Sequence, residues 1–158
     1  MMDYLGLGAF FLITFIAAIS GGYFRPGDFY KSLNKPSWNP PDWLFAPAWF
    51  VLYFMIAIAG WLVWMKDGFA LALLIWCIQI VLNALWSYLA FGLNRLDLAF
   101  YEVVALWTSI AAFIFAALPI DQTAALLFIP YILWVSFAAA LNYTVWQMNP
   151  ETVPRGRT

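Results

Sequence analysis

The chain has 158 residues, 66% of them hydrophobic and 9% charged, with a formal net charge of -1 and a mean hydropathy of +0.85. A soluble domain is roughly half apolar and about a quarter charged, so this composition excludes a water-soluble fold, which would lack polar side chains to cover its surface. The near-zero charge argues against a nucleic-acid partner, and lipid is left as the solvent, in which helices satisfy their own backbone groups.

Tyr4 to Phe24 runs 21 residues without a charge, enough to cross a hydrocarbon core that takes ~20 helical residues. Asp3 stands where a signal peptide would carry a basic residue, and the apolar run is too long for one, so it reads as a retained span. Arg25 to Asp42 is a long connection rich in proline and aromatics. Pro40 and Pro41 suit a helix start, with Asn39 as its cap.

The second uncharged run is Trp43 to Met65 and the third Gly68 to Asn94, which holds the lone Cys77, so no disulfide forms within the chain. Leu98 to Ile120 carries one charge, Glu102, and ends at Pro119 with Asp121. Gln122 to Pro150 is uncharged again. Pro47 and Pro130 are expected to kink the second and fifth helices. The expectation is a single all-α membrane domain over residues 1–158, a five-transmembrane-helix bundle with spans at about 4–24, 43–65, 68–94, 98–120 and 122–149. Five spans do not divide into two equal halves, which counts against an inverted-repeat transporter.

An odd number of spans puts the termini on opposite sides. Arg25, Lys31, Lys35, Arg95, Arg155 and Arg157 then share one face, and Lys66 holds the other. The positive-inside rule places the first loop and the C-terminus in the cytoplasm and the N-terminus outside.

The chain has no His, and its carboxylates are scattered singly. No metal site, nucleophile triad or carboxylate pair can be built from that inventory, and a haem would lack its usual His or Cys ligand. The sequence argues against classical enzyme chemistry and for no cofactor. Aromatics make up 21% of the chain, with ten Trp. Trp38 and Trp43 suit an interfacial belt. Trp49 and Tyr53 are four apart on one helical face, and Trp134, Ala138 and Leu141 share another. Two readings are open for these faces: helix packing, or a pocket for a flat apolar ligand with rings for stacking and Ala138 for room. Asn83, Asn142 and Glu102 are polar groups at membrane depth, either functional or structural, as interhelical glue or a helix-dipole partner. Ala17 with Gly21 and Ala18 with Gly22 allow close helix approach on the first span.

The segments NKPSWNPPDW (Asn34 to Trp43), APAWFVLY (Ala46 to Tyr53), LNALWSYLAFG (Leu82 to Gly92) and PYILWVSFAAALNYTVW (Pro130 to Trp146) resemble the TspO/MBR family, the tryptophan-rich sensory proteins and translocator proteins once called peripheral-type benzodiazepine receptors. The resemblance covers nearly the whole chain. It implies a five-helix bundle, commonly a homodimer, in a bacterial inner or outer membrane or the mitochondrial outer membrane. It implies binding of porphyrins and other tetrapyrroles, of sterol in animal members, and of benzodiazepine-type drugs, between helices and under the first loop, 25–42, as a lid. The positions matching the family's ligand site are Tyr30, Trp38, Trp49, Tyr53, Asn83, Trp86, Trp134, Ala138 and Leu141. Arg25, Lys31 and Lys35 are the expected partners of porphyrin propionates. The porphyrin is expected as a ligand rather than a cofactor, sensed or translocated. The alternative the family also implies is light-dependent porphyrin degradation, which would use Trp49 and Trp134. The family's sterol pattern is incomplete here: Leu141 and Tyr143 are present, but Gln147 stands in place of the basic residue.

Overall fold

The computed structural model describes residues 4–24 and 26–150. Among them no strand occurs, and five helical spans are long and apolar enough to cross a bilayer: Tyr4–Tyr23, Asp42–Asp67, Leu71–Gly92, Leu96–Ala117 and Gln122–Met148. The protein is an all-α integral membrane protein. Its elements are α1 (Tyr4–Tyr23), a short α2 (Asp28–Ser32) in the first loop, α3 (Phe45–Asp67), α4 (Leu71–Ser87), α5 (Leu96–Ala117), α6 (Gln122–Leu127) and α7 (Ile129–Met148). A 3-10 turn at Asp42–Leu44 leads into α3, and a π-helical turn at Tyr88–Gly92 continues α4.

Three local expectations change. Pro41, not Asn39, precedes the 3-10 turn, and the Asn39 amide instead donates to the Pro40 carbonyl at 3.0 Å. Pro47 lies in the first turn of α3, where a missing N–H leaves no bond unmade, so it opens the helix rather than bending it. Pro130 acts more strongly than a kink. It cannot donate back along the fifth span, which is broken at Phe128, so α7 starts afresh with Pro130 in its first turn.

The other turns follow local chemistry. Gly68 ends α3 at φ +64, donating its N–H to the Trp64 carbonyl at 2.9 Å, a conformation that costs glycine little. Asp121 caps α6 by accepting from the Ala124 N–H at 2.9 Å and pairs with the Lys66 ammonium at 2.7 Å. Burial alone would raise the Asp121 carboxyl, but Lys66 and the amides of Ala124 and Thr123 more than reverse this and hold it below the usual carboxylate value. Lys66 is thereby tied to the α5–α6 turn.

The helices close a ring. α1 packs on α3 and α4, α4 on α5, α5 on α6 and α7, and α3 on α6. The main core, with Ile56, Val63, Trp76, Ile110, Phe113 and Phe128 fully buried, fills the half of the bundle nearer the Lys66 end. A smaller cluster of Leu33, Leu96, Leu141 and Val145 lies at the other end, beneath the first loop. Because α3 is held close to α6 while making no comparably close backbone approach to α7 among the described residues, the second and fifth spans part toward the loop. On α1, Ala17 is buried against the bundle while Gly21 and Gly22 are exposed.

Candidate functional site: an aromatic cage between α3 and α7

Side chains, not backbone, bridge the gap between α3 and α7. Trp49 meets Tyr131 edge-on at 6.2 Å between ring centres, and Phe45 meets Trp134 at 5.8 Å. Trp49 also lies 5.5 Å from Tyr53, with the rings tilted by 31°. Trp134 and Phe137 are 5.9 Å apart, and Phe137 reaches Trp38 in the loop at 5.8 Å. On the α4 side Phe91 stands between Trp86 at 5.4 Å and Tyr30 at 5.3 Å. The result is a cage of rings from α3, α4, α7 and the loop.

Most of the expected site residues therefore come together. Trp49, Tyr53, Trp86 and Trp134 are half-buried and pack against the core rather than turning out to lipid. Asn83 accepts from the Tyr53 hydroxyl at 2.8 Å, and Trp86 Nε1 donates to Asn142 Oδ1 at 3.2 Å. Asn142 in turn donates to the Leu96 carbonyl at 2.9 Å, fixing α7 to the start of α5. Ala138 is half-buried, and Leu141 is buried in the cluster beneath the loop. Trp38 stays 46% exposed at the rim, as a belt residue would.

The basic residues are less concentrated. Arg25 lies outside the described residues. Lys31 is exposed, its ammonium 4.0 Å from Asp28. Lys35 sits over the Tyr30 ring at 4.7 Å and bonds to the Lys31 and Leu33 carbonyls. Burial first, and the Asp42 carboxylate second, push the Tyr30 hydroxyl up from its usual value, so it stays a neutral donor. Leu141 and Tyr143 diverge: Tyr143 faces outward against Phe100 and Trp146. There it lines a groove of about 450 Å³ with Phe100, Trp107 and Ser136. A second groove, of about 300 Å³, lies at the outer face of α1 and α4. Neither is lined by residues of the cage.

Four cage residues were not among those expected. Tyr131 is placed by the break at Phe128, since it begins a new helix facing α3. Phe91 is turned toward Tyr30 by the π-helical turn, in which Leu93 N–H bonds to the Tyr88 carbonyl at 2.8 Å. Phe45 and Phe137 complete the set. Pro130 was the available signal for Tyr131, whereas nothing local in YLAFG announces the π turn.

One buried side-chain donor of the cage is unspent. Trp134 Nε1 is buried and has no hydrogen-bond partner, an arrangement that costs ~1 to 3 kcal/mol unless something fills it. Fold and site together define a five-helix membrane bundle with an aromatic, mostly apolar cage under its long first loop. The chain matches the TspO/MBR family over residues 10–147, and it belongs to that family. It is 39% identical to Protein CrtK of Rhodobacter capsulatus, covering 92% of this chain and 93% of that protein. It is 37% identical to the tryptophan-rich sensory protein of Cereibacter sphaeroides, over 87% and 90% of the two chains. The translocator protein of Ovis aries is also 37% identical, over 83% and 79%.

Proposed function

We propose that the cage binds a flat, largely apolar macrocycle of the porphyrin class, and that the protein senses or translocates that ligand. The observation that carries this reading is the placement of two indoles on facing helices, Trp49 and Trp134, each meeting a ring across the gap edge-on, beside a buried, unpartnered Trp134 Nε1 that a ligand acceptor would satisfy. The rings now touch one another across the gap, so a bound macrocycle exchanges ring–ring contacts for ring–ligand contacts as α3 and α7 part. That exchange is favoured by the sparse backbone packing between these two helices. Lys35 and Lys31 lie at the loop, where propionates of a ligand threaded under the lid would emerge.

Each exposed charge pair contributes at most ~1 kcal/mol, whereas burying an aromatic face adds its full area and a further ~0.5 to 1.5 kcal/mol from stacking. Stacking should dominate. Trp49→Ala and Trp134→Ala are expected to weaken porphyrin binding about tenfold or more, and Lys35→Ala severalfold at most, in titrations of the purified protein in nanodiscs read by Trp fluorescence quenching. Equal losses in all three variants would reject the stacking reading. The same titration under illumination tests the alternative of light-dependent degradation, whose products should vanish with either Trp.

A further inference from the structure

Buried polar atoms without a partner are few among the described residues: Asn39 Oδ1, Trp134 Nε1, Gln79 Nε2 and both carboxyl oxygens of Glu102. Gln79, on α4, bonds to Tyr131, and Glu102 stands on α5, which packs closely along α4. The Tyr131 hydroxyl donates to Gln79 Oε1 at 3.1 Å, and the Glu102 carboxyl lies within electrostatic reach of the same hydroxyl. Gln79 is 0% exposed and Glu102 7%, so neither finds its missing partner in bulk water. Gln79 Nε2 lacks an acceptor, and the Glu102 carboxylate can supply one through a bridging water.

The bonds leading to this pair have a direction. Tyr53 donates to Asn83 Oδ1 at 2.8 Å, Asn83 Nδ2 donates to Tyr131 at 2.7 Å, and Tyr131 donates to Gln79 Oε1. Every donor points along the chain toward Gln79, which leaves Tyr53 offering the cage only oxygen lone pairs. This polarity depends on which end of each of two amides faces its neighbour. Turning over Asn83 and Gln79 swaps oxygen and NH2 with almost no change in shape. Gln79 would then donate to Tyr131, Tyr131 to Asn83 Oδ1 and Asn83 to Tyr53, freeing the Tyr53 proton for the cage. That inverted chain ends on Gln79 Oε1 and requires a donor beyond it. An ionised Glu102 satisfies only the observed direction, and a protonated Glu102 can satisfy the inverted one.

We propose that Glu102 is a polarity-setting residue whose ionisation state decides, through Gln79, Tyr131, Asn83 and Tyr53, whether the cage is offered an acceptor or a donor. The proposal rests on the cage being a ligand site. It adds a specificity rule: ligands with inward N–H groups match one state and ligands with carbonyl-type acceptors the other. No other formal charge competes for Glu102 from its neighbours, since α4, the π turn, α6 and α7 contain no Asp, Glu, Lys or Arg. The titratable side chains on those elements are Cys77, Tyr88, Tyr131 and Tyr143. Of these, Cys77 lines the groove at α1 and Tyr143 the outer groove, while Tyr88 meets Phe24 edge-on. On α5 itself Asp97 is paired with Arg95.

The test uses the full chain in nanodiscs, as wild type, Glu102→Gln and Tyr53→Phe. Difference infrared spectra of the ligand-free protein across pH should show a carboxyl C=O band that is lost in Glu102→Gln. Tyrosine ring bands should change together with it, and Tyr53→Phe should remove part of that tyrosine change. Binding of a neutral alkyl-substituted free-base porphyrin should vary about fivefold over the same pH interval, the worth of one hydrogen bond, and should be flat in Glu102→Gln. A carboxyl band that does not titrate, or tyrosine changes that persist in Glu102→Gln, overturns the proposal. Equal pH dependence of binding in wild type and Glu102→Gln overturns it too. Coupled infrared bands without porphyrin binding would support the polarity relay and reject the cage's proposed ligand instead.

Discussion

At Gly60 the main core leaves no room for a side chain. A Cβ built there would stand 2.5 Å from Trp76 Cε2, 2.6 Å from its Nε1 and 2.9 Å from Phe10 Cδ1. Trp76 cannot yield, because it is 1% exposed and its Nε1 donates to the Ile56 carbonyl at 2.9 Å, one turn before Gly60. Gly60→Ala is therefore expected to cost roughly 1 to 3 kcal/mol through overpacking. Gly8, with nothing within 4 Å of an added Cβ, provides the control: Gly8→Ala should leave the thermal unfolding midpoint in detergent close to that of the wild type, while Gly60→Ala lowers it. In the proposed ligand binding, burial is expected to outweigh charge, and the contrast of Trp49→Ala and Trp134→Ala with Lys35→Ala measures it.

Elements matter here mainly where they stop being regular. The break at Phe128 swings Tyr131 into the cage, the π turn delivers Phe91, and the irregular loop closes the top. That loop is held at one point by unusually complete bonding. Asn149, which ends α7, accepts from the Asn34 N–H at 2.9 Å and donates to the Asn34 carbonyl at 2.9 Å, mimicking a strand partner for one residue. Its amide also donates to the Val145 carbonyl at 2.7 Å, and the neighbouring Leu33 is buried against Leu141 and Val145. Asn149→Ala removes the side chain's part in all three bonds and leaves the Asn34 backbone groups to find water. The expected result is a loss of roughly 1 to 3 kcal/mol concentrated in the lid, seen as faster hydrogen exchange at Leu33 and Asn34 with the α3–α6 core unaffected. Uniform loss of protection throughout the chain would argue instead that the lid and bundle unfold as one unit.

On the scale of the whole molecule the two ends differ in kind. At the Lys66 end a dense core and an ion pair fasten α3 to the α5–α6 turn, whereas at the loop end aromatic contacts and the amides of Asn142 and Asn149 do the fastening. The ion pair makes its own prediction. The folded Asp121 value lies below its ordinary 3.8, so its stabilising contribution is complete above that value and disappears as pH falls through the folded value. Lys66 is 54% exposed, which limits the pair to ~1 kcal/mol or less. Lys66→Met should lower the unfolding midpoint slightly at neutral pH and match wild type in strong acid. A gap that persists there would mean that Lys66 stabilises by packing its stem and not by charge.

The amino-acid sequence by itself determined that this chain lives in lipid and crosses it five times, because runs of bilayer length with at most one charge respond to the solvent and need no knowledge of neighbours. It also carried the segments that mark the TspO/MBR family, and with them the indoles of α3 and α7 as a pair. What it left undecided was which polar groups meet. Glu102 lies nearly two turns into α5, which begins at Leu96. Gln79, Tyr131, Asn83 and Tyr53 join only through contacts among three helices. Hydrogen-bond partners, their direction and the gap between α3 and α7 depend on how helices rotate and part about one another, and in a bilayer most faces are apolar, so the hydrophobic pattern along the chain gives little sign of which face turns inward. Tertiary packing alone made that choice.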